Sequence, residues 1–157
     1  MQSKYQLKTP ETEQEFLDYY NLRHKVLRAP WNQPPGSEKD ELEDVSVHRM
    51  IVDENNVVVA CGRLQFNSES EAQVRYLAVD DSCQGAGLGS MLLKDLETFA
   101  HERKSKEIML ISRENALKFY EKNGYKIIKD AYTLFGTIKH KEMRKECPVE
   151  VISSGGI

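Results

Sequence analysis

The stretch from Ala72 to Ile111 constrains this chain more than any other. It reads as an apolar strand (Ala72–Val79), a loop with three glycines (Gln84-Gly85-Ala86-Gly87-Leu88-Gly89), a helix with Leu88, Met91, Leu92, Leu96, Phe99 and Ala100 on one face, and a second apolar strand at Ile108–Ile111. A helix that returns the chain from one strand to the next is a crossover, and crossovers join parallel strands in a right-handed turn. The sheet must therefore contain a parallel pair in its middle, with a helix lying across one face.

Upstream of that unit the period is that of strands joined by short turns. Val47–Asp53 and Val57–Phe66 flank the turn Glu54-Asn55-Asn56, and Asn67–Ser70 leads into Ala72–Val79, which makes an antiparallel meander. Residues 4–9 form a short first strand stopped by Pro10. Thr12 and Glu15 have capping-box spacing, and Phe16, Tyr19, Tyr20, Val26 and Leu27 recur at helical intervals, so a helix is expected from about residue 12 to 27. The stretch Ala29-Pro30-Trp31-Asn32-Gln33-Pro34-Pro35-Gly36 breaks regular structure, and an acidic run follows from Glu38 to Asp44. Downstream, a short helix over about Ala116–Lys122 stops at Gly124, and Tyr125–Phe135 and Thr137–Met143 pair as strands turning at Gly136. The class is mixed α/β: an antiparallel first half and a central parallel pair.

A length of 157 residues suits one domain, expected over 1–145, with 146–157 as a frayed tail. The longest apolar run, Val57-Val58-Val59-Ala60-Cys61, is far short of the ~20 residues a membrane helix needs. No apolar stretch follows Lys4, so no secretory signal is read, and a cytoplasmic protein with no membrane partner is expected. A net charge of −3 argues against nucleic-acid binding through bulk charge. The three cysteines, Cys61, Cys83 and Cys147, form no Cys-x-x-Cys, and the four histidines make no paired-ligand spacing; neither a disulfide framework nor a metal site is expected. Cys61 reads as a small buried hydrophobe, and Cys83 as a bystander beside the loop.

The glycine loop at a helix N-terminus suits a phosphate: glycine lets a ligand approach the backbone, and free N–H groups with the helix dipole favour an anion. It also suits a plain turn packing helix against sheet. A nucleoside-triphosphate loop fails, because Ser90 and Met91 follow Gly89 where Lys and Ser/Thr are required. A dinucleotide fingerprint fits poorly, because position 90 is Ser90 and a meander precedes the unit.

Gln84-x-x-Gly87-x-Gly89, directly after Val74-Arg75-Tyr76-Leu77-Ala78-Val79, resembles the acetyl-coenzyme A loop of the GNAT N-acetyltransferase superfamily. The likeness continues through Asn115-Ala116-Leu117-Lys118-Phe119-Tyr120-Glu121-Lys122-Asn123-Gly124-Tyr125 and covers roughly residues 3–145. It implies a GNAT fold: a twisted mixed sheet of about seven strands flanked by about four helices. It also implies direct transfer of an acetyl group from acetyl-coenzyme A, without a metal, to a primary amine on a small molecule or peptide, and leaves a homodimer open. The amides of Gln84, Gly85, Ala86, Gly87, Leu88, Gly89 and Ser90 would hold the pyrophosphate. Leu77, Ala78 and Val79 would pair with the pantetheine arm, and Asn115 would meet it from the other side. Tyr120 would be the general acid for the departing thiolate.

The base is less defined. His48, His140, Glu71 or a water chain would take the proton that an ammonium with a pKa near ~10.4 must lose before attack. His140-x-x-Met143, His48 and Leu22-Arg23-x-x-Val26-Leu27-Arg28 are similar to one subgroup of these enzymes, though each histidine also suits a structural role. Ser37–Asp44 carries five carboxylates and one lysine, which fits either a field that collects a cationic acceptor or a solvated loop. A non-catalytic acyl-coenzyme A-binding module is the alternative to an enzyme; Tyr120, unnecessary for holding a cofactor, favours the enzyme.

Overall fold

A computed structural model describes residues 4–147. Its seven strands form one sheet in the order β1-β2-β3-β4-β5-β7-β6: β1 (Gln6–Lys8), β2 (Val47–Val52), β3 (Val58–Phe66), β4 (Glu71–Val79), β5 (Glu107–Arg113), β6 (Lys126–Leu134) and β7 (Ile138–Glu146). All neighbours are antiparallel except β4 and β5, so the crossover logic holds. Three α-helices accompany them, α1 (Glu13–Leu27), α2 (Leu88–Glu102) and α3 (Leu117–Lys122). Against the expected count of about four helices, the described residues hold three. After α1, Pro30 begins a run of breakers through Pro34 and Pro35 that leaves only the 3-10 turn Ala29–Trp31. A further 3-10 turn, Glu43–Val45, precedes β2.

Each helix forms where its sequence supplies a start and a stop. In α1 the Thr12 hydroxyl accepts from Glu15 N at 3.1 Å while Glu15 Oε1 accepts from Thr12 N at 3.2 Å, the reciprocal box that satisfies two orphan amides. Gly124, at φ +95°, ends the segment after α3. Strand β7 runs through Glu146, and Cys147 is buried, its amide donating to Lys106 O at 2.9 Å. From residue 148 on, the expected tail lies outside the described residues.

The sheet separates two cores. On one face α2 presents Leu88, Leu92, Leu93, Leu96 and Ala100, all fully buried against Ile51, Leu64, Ala72, Val74, Ile108, Leu110 and Met143. Burying each leucine contributes about 1.5–3 kcal/mol, so this face holds most of the apolar stabilisation. On the other face Tyr19 and Leu22 of α1 close over Met50, Val52, Cys61 and Ala78. Cys61 is fully buried, as its apolar neighbours suggest.

Candidate active site

The parallel pair is brief. β4 and β5 are in register only at Glu71–Gln73 with Glu107–Met109, and beyond that they diverge. A bulge helps turn β4 away: Cys61 faces Ala78 but Arg63 faces Arg75, leaving Tyr76 and Leu77 opposite one residue of β3. Tyr76 sits at φ +56°, a conformation that a bulky residue adopts only when its surroundings enforce it. Past the bulge, Asp80 N donates to Val59 O at 2.8 Å, so Asp80 faces β3. Strand alternation then turns the N–H and C=O of Val79 and Leu77 to the open edge, where no strand among the described residues meets them.

That edge leads into the glycine loop. Gly87, at φ +78°, is the N-cap of α2, and a Cβ there would meet nothing within 4 Å. The first helical bond runs from Met91 N to Gly87 O at 3.1 Å; the amides of Gly87, Leu88, Gly89 and Ser90 have no acceptor among the described residues. Gly89 has a different reason: its Cβ would lie 3.1 Å from Phe119 Cζ, so its small size lets α2 pack against α3. Gln84, Gly85 and Ala86 are exposed at the loop tip.

A cavity of about 140 Å³ occupies the split between β4 and β5, walled by Leu27, Arg28, Tyr76, Leu77, Arg113, Tyr120, Tyr132 and His140 among others. Tyr120 enters from α3, its ring 5.0 Å from Phe119 and 5.9 Å from Tyr125. Its hydroxyl makes no hydrogen bond among the described residues, and burial pushes its pKa up against the nearby Arg113 cation. Asn115 is exposed on the 3-10 turn Glu114–Ala116, next to Ala116 in the cavity wall.

The histidines separate. His140 lies on the cavity wall, Nδ1 2.9 Å from Ile138 O and its ring 4.8 Å from Tyr132. Burial lowers its pKa, opposed by the Ile138 carbonyl and reinforced by Arg113. His48 is no part of that wall. Its Nδ1 lies 2.8 Å from the Tyr19 hydroxyl and its Nε2 2.7 Å from Glu43 O, so both nitrogens are engaged under α1. Glu71 is bound to Arg144 at 2.8 Å where β4 and β5 are still paired, away from the split. Cys83 sits on the 3-10 turn Asp81–Cys83, outside the cavity wall.

The acidic run is not an open field. Asp40 binds Arg63 at 2.6 Å and Arg75 at 3.2 Å, Glu43 binds Arg23 and Arg63 at 2.8 Å each, and Arg23 and Arg63 are themselves fully buried. Arg63 also donates to Gln65 Oε1. Arg23 lies 4.3 Å above the Tyr76 ring, and Tyr76 OH donates to Asp40 Oδ2 at 3.3 Å, so the same network clamps the bulge. Only Glu41 and Asp44 of the five carboxylates remain exposed. Neither a fully open field nor a fully solvated loop describes the run: arginines from α1, β3 and β4 take up Asp40 and Glu43, and Glu41 and Asp44 stay exposed.

Sequence reasoning missed Arg113 and Tyr132 on the cavity wall. Arg113 had a signal, as the charged end of an apolar strand two residues before Asn115. Tyr132 had none, because its place beside His140 depends on a β6–β7 register broken by bulges.

Residues 14–125 match the sequence model of the Acetyltransferase (GNAT) family. A curated relative, the uncharacterized N-acetyltransferase YjcF of Bacillus subtilis (strain 168), is 29% identical over 136 residues, spanning 87% of this chain and 96% of its own length. Among solved structures, a putative N-acetyltransferase from Lactobacillus plantarum superposes with a TM-score of 0.81 at 18% identity, over 93% of this chain and all of that one. An aminoglycoside 6'-N-acetyltransferase complexed with coenzyme A superposes with a TM-score of 0.75 at 18% identity, over 91% of this chain and 97% of that one. A split parallel pair, a strand edge left open and a capless glycine loop thus occur in a chain most of whose length matches one family's sequence pattern, and the chain belongs to the GNAT acetyltransferase family.

Proposed function

We propose that this protein transfers an acetyl group from acetyl-coenzyme A directly to a primary amine. The observation that carries this is the β4 edge at Leu77 and Val79, past the end of the β4–β5 pairing, followed along the chain by the Gly87–Ser90 amides that have no acceptor among the described residues. An extended thiol arm with an amide backbone fits such an edge as an added strand, and a pyrophosphate fits the N–H groups at the positive end of α2. The coenzyme A held by the similar aminoglycoside 6'-N-acetyltransferase supports the same ligand here. Bound acetyl-coenzyme A supplies an acetyl thioester, an acyl donor with a thiol leaving group of pKa near ~8.5.

The chain's own residues do the rest. The Leu77 N–H, on the open edge, serves as a donor to a developing oxyanion. Tyr120, whose phenol stays protonated and has no hydrogen-bond partner among the described residues, gives its proton to the departing sulfur. His140, uncharged near neutral pH because burial lowers its pKa, accepts a proton on the way out from the amine. Asn115 closes the rim near the thiol arm.

Calorimetric titration with coenzyme A and thiol release from acetyl-coenzyme A across a panel of amines test the assignment. Tyr120→Phe keeps the ring packing and removes the proton donor, so kcat is expected to fall about 10- to 1000-fold with coenzyme A affinity little changed. The loss should shrink with a thioester of a more acidic thiol. Coenzyme A binding without turnover of any amine would favour the non-catalytic acyl-coenzyme A module.

A further inference from the structure

The α1 side of the split carries a pair of charges that no carboxylate among the described residues balances. Arg28 Nη1 and Arg113 Nη2 each donate to the same oxygen, Leu27 O, at 3.1 Å, so the two guanidiniums stand within about 6 Å of each other. Both are half-buried. Arg23, Arg49, Arg63, Arg75 and Arg144 each hold a carboxylate; Arg28, Arg113 and the exposed Arg103 hold none among the described residues, and of these only Arg28 and Arg113 are half-buried and adjoin the split. Leu27 O closes α1, and the partial negative charge of a helix end offsets at most about half a charge against two full ones. Each guanidinium lies over an aromatic ring, Arg28 5.8 Å from the Phe135 centroid and Arg113 6.0 Å from that of Trp31.

We propose that the acceptor amine carries an anionic group, a carboxylate or a phosphate, which Arg28 and Arg113 hold while its nitrogen points into the split toward Tyr120. This rests on the acetyltransferase reading and adds the chemical class of its acceptor. Arg28 Nε also donates to Ser37 O at 3.0 Å, so Nη2 of Arg28 and Nε and Nη1 of Arg113 remain as the donors that suit an oxyanion of either kind. The pair does not serve the donor's pyrophosphate. Arg113 shares a face with His140, its register partner, on the α1 side, whereas the free amides of the glycine loop start α2 on the opposite face. The two anion sites thus flank the split from opposite sides. A cavity of about 140 Å³ suits a small acceptor.

The test uses the full chain, acetyl-coenzyme A and four small amines: 3-aminopropanoate, 2-aminoethyl phosphate, 3-aminopropan-1-ol and 1,3-diaminopropane. Thiol release gives kcat/KM for each, and calorimetry measures both anionic amines against protein saturated with coenzyme A. One or both anionic amines should exceed the alcohol and the diamine by about ten-fold or more, and the two arms tell carboxylate from phosphate. Arg28→Gln and Arg113→Gln should each reduce that preference by about ten-fold with coenzyme A affinity retained, and Arg113→Lys should restore part of it. Equal or better transfer to the alcohol or the diamine overturns the proposal, as does coenzyme A-loaded protein that binds neither anionic amine. Protein that does not bind coenzyme A at all would remove the acetyltransferase reading, and this acceptor assignment with it.

Discussion

Two polar segments of this chain look equally rich in potential ligand chemistry, and the fold treats them in opposite ways. The acidic segment, Ser37 to Asp44, has its inward carboxylates consumed: Asp40 and Glu43 are locked to Arg23, Arg63 and Arg75, which also clamp the Tyr76 ring. The glycine loop, Gln84 to Gly89, is left open, with the amides of Gly87 through Ser90 unbonded at the start of a fifteen-residue helix. Closed polar groups build scaffold, and open ones wait for a ligand. By that criterion Arg28 and Arg113 belong with the loop, since two like charges share one carbonyl and neither holds a carboxylate among the described residues.

The contrast breaks most visibly at Arg63. Arg63→Ala leaves Asp40 and Glu43 facing a buried site without their shared cation, and removing one partner of a buried pair costs about 3–5 kcal/mol. Urea unfolding should show a loss of that size. Replacing the ion pairs by apolar residues of matched volume is a different experiment and need not destabilise at all. A loss under about 1 kcal/mol for Arg63→Ala would mean the network is wetter than its burial implies.

Next in size is the pH response of the same network. Asp40 is partly buried, which raises its pKa, but the Arg63 guanidinium more than compensates and brings it down to about 2. A carboxyl depressed below its unfolded value stabilises the fold at pH above that value, and the contribution is lost as pH falls through the folded value. Asp40 should therefore contribute roughly 2 kcal/mol at neutral pH, lost between about pH 4 and pH 2. Asp40→Asn should be less stable at pH 7 and show a shallower acid limb in unfolding midpoints collected across that range. An unchanged limb would assign the acid sensitivity elsewhere.

Gly87→Asp probes the open segment. The side chain has space, but φ +78° strains it and its charge repels a phosphate at the helix N-terminus. Coenzyme A affinity should drop ten-fold or more, at least ~1.4 kcal/mol, with a smaller loss of stability than Arg63→Ala. Tight coenzyme A binding by a folded Gly87→Asp variant would move the pyrophosphate away from this loop.

What the sequence made legible follows the same division. The crossover, the capping box, the Gly124 stop and the glycine loop are local patterns within a few residues, and each appears where the residues point. The bulge at Tyr76 was not legible, because nothing in Arg75-Tyr76-Leu77 signals a positive φ; it is imposed by Arg23 and Asp40, distant in sequence. The ion pairs of the acidic run are illegible for the same reason: its partners sit on α1, β3 and β4. Arg63 alone offered a hint, a charge inside the otherwise apolar run from Val57 to Leu64, since a charged side chain is rarely fully buried unless paired.

The smallest expected effect is the most discriminating for the acidic segment. Glu41 and Asp44 are exposed, and they line a broad hollow of about 860 Å³ beside Tyr20, Lys39 and His48, the one place where this segment still offers free carboxylates. If the hollow gathered a cationic acceptor, Glu41→Gln with Asp44→Asn would raise acceptor KM, most of all at low salt, where surface fields reach farthest. The arginine-lined mouth of the split predicts the reverse. An anionic acceptor is repelled by these carboxylates, so the double variant should leave KM unchanged or lower it slightly, and should change stability by no more than about 0.5 kcal/mol, as surface substitutions do. Steady-state kinetics with 3-aminopropanoate and 1,3-diaminopropane at two ionic strengths reads the sign. A rise in KM for the diamine, restored to the wild-type value by salt, would return the acceptor to the acidic side of the molecule.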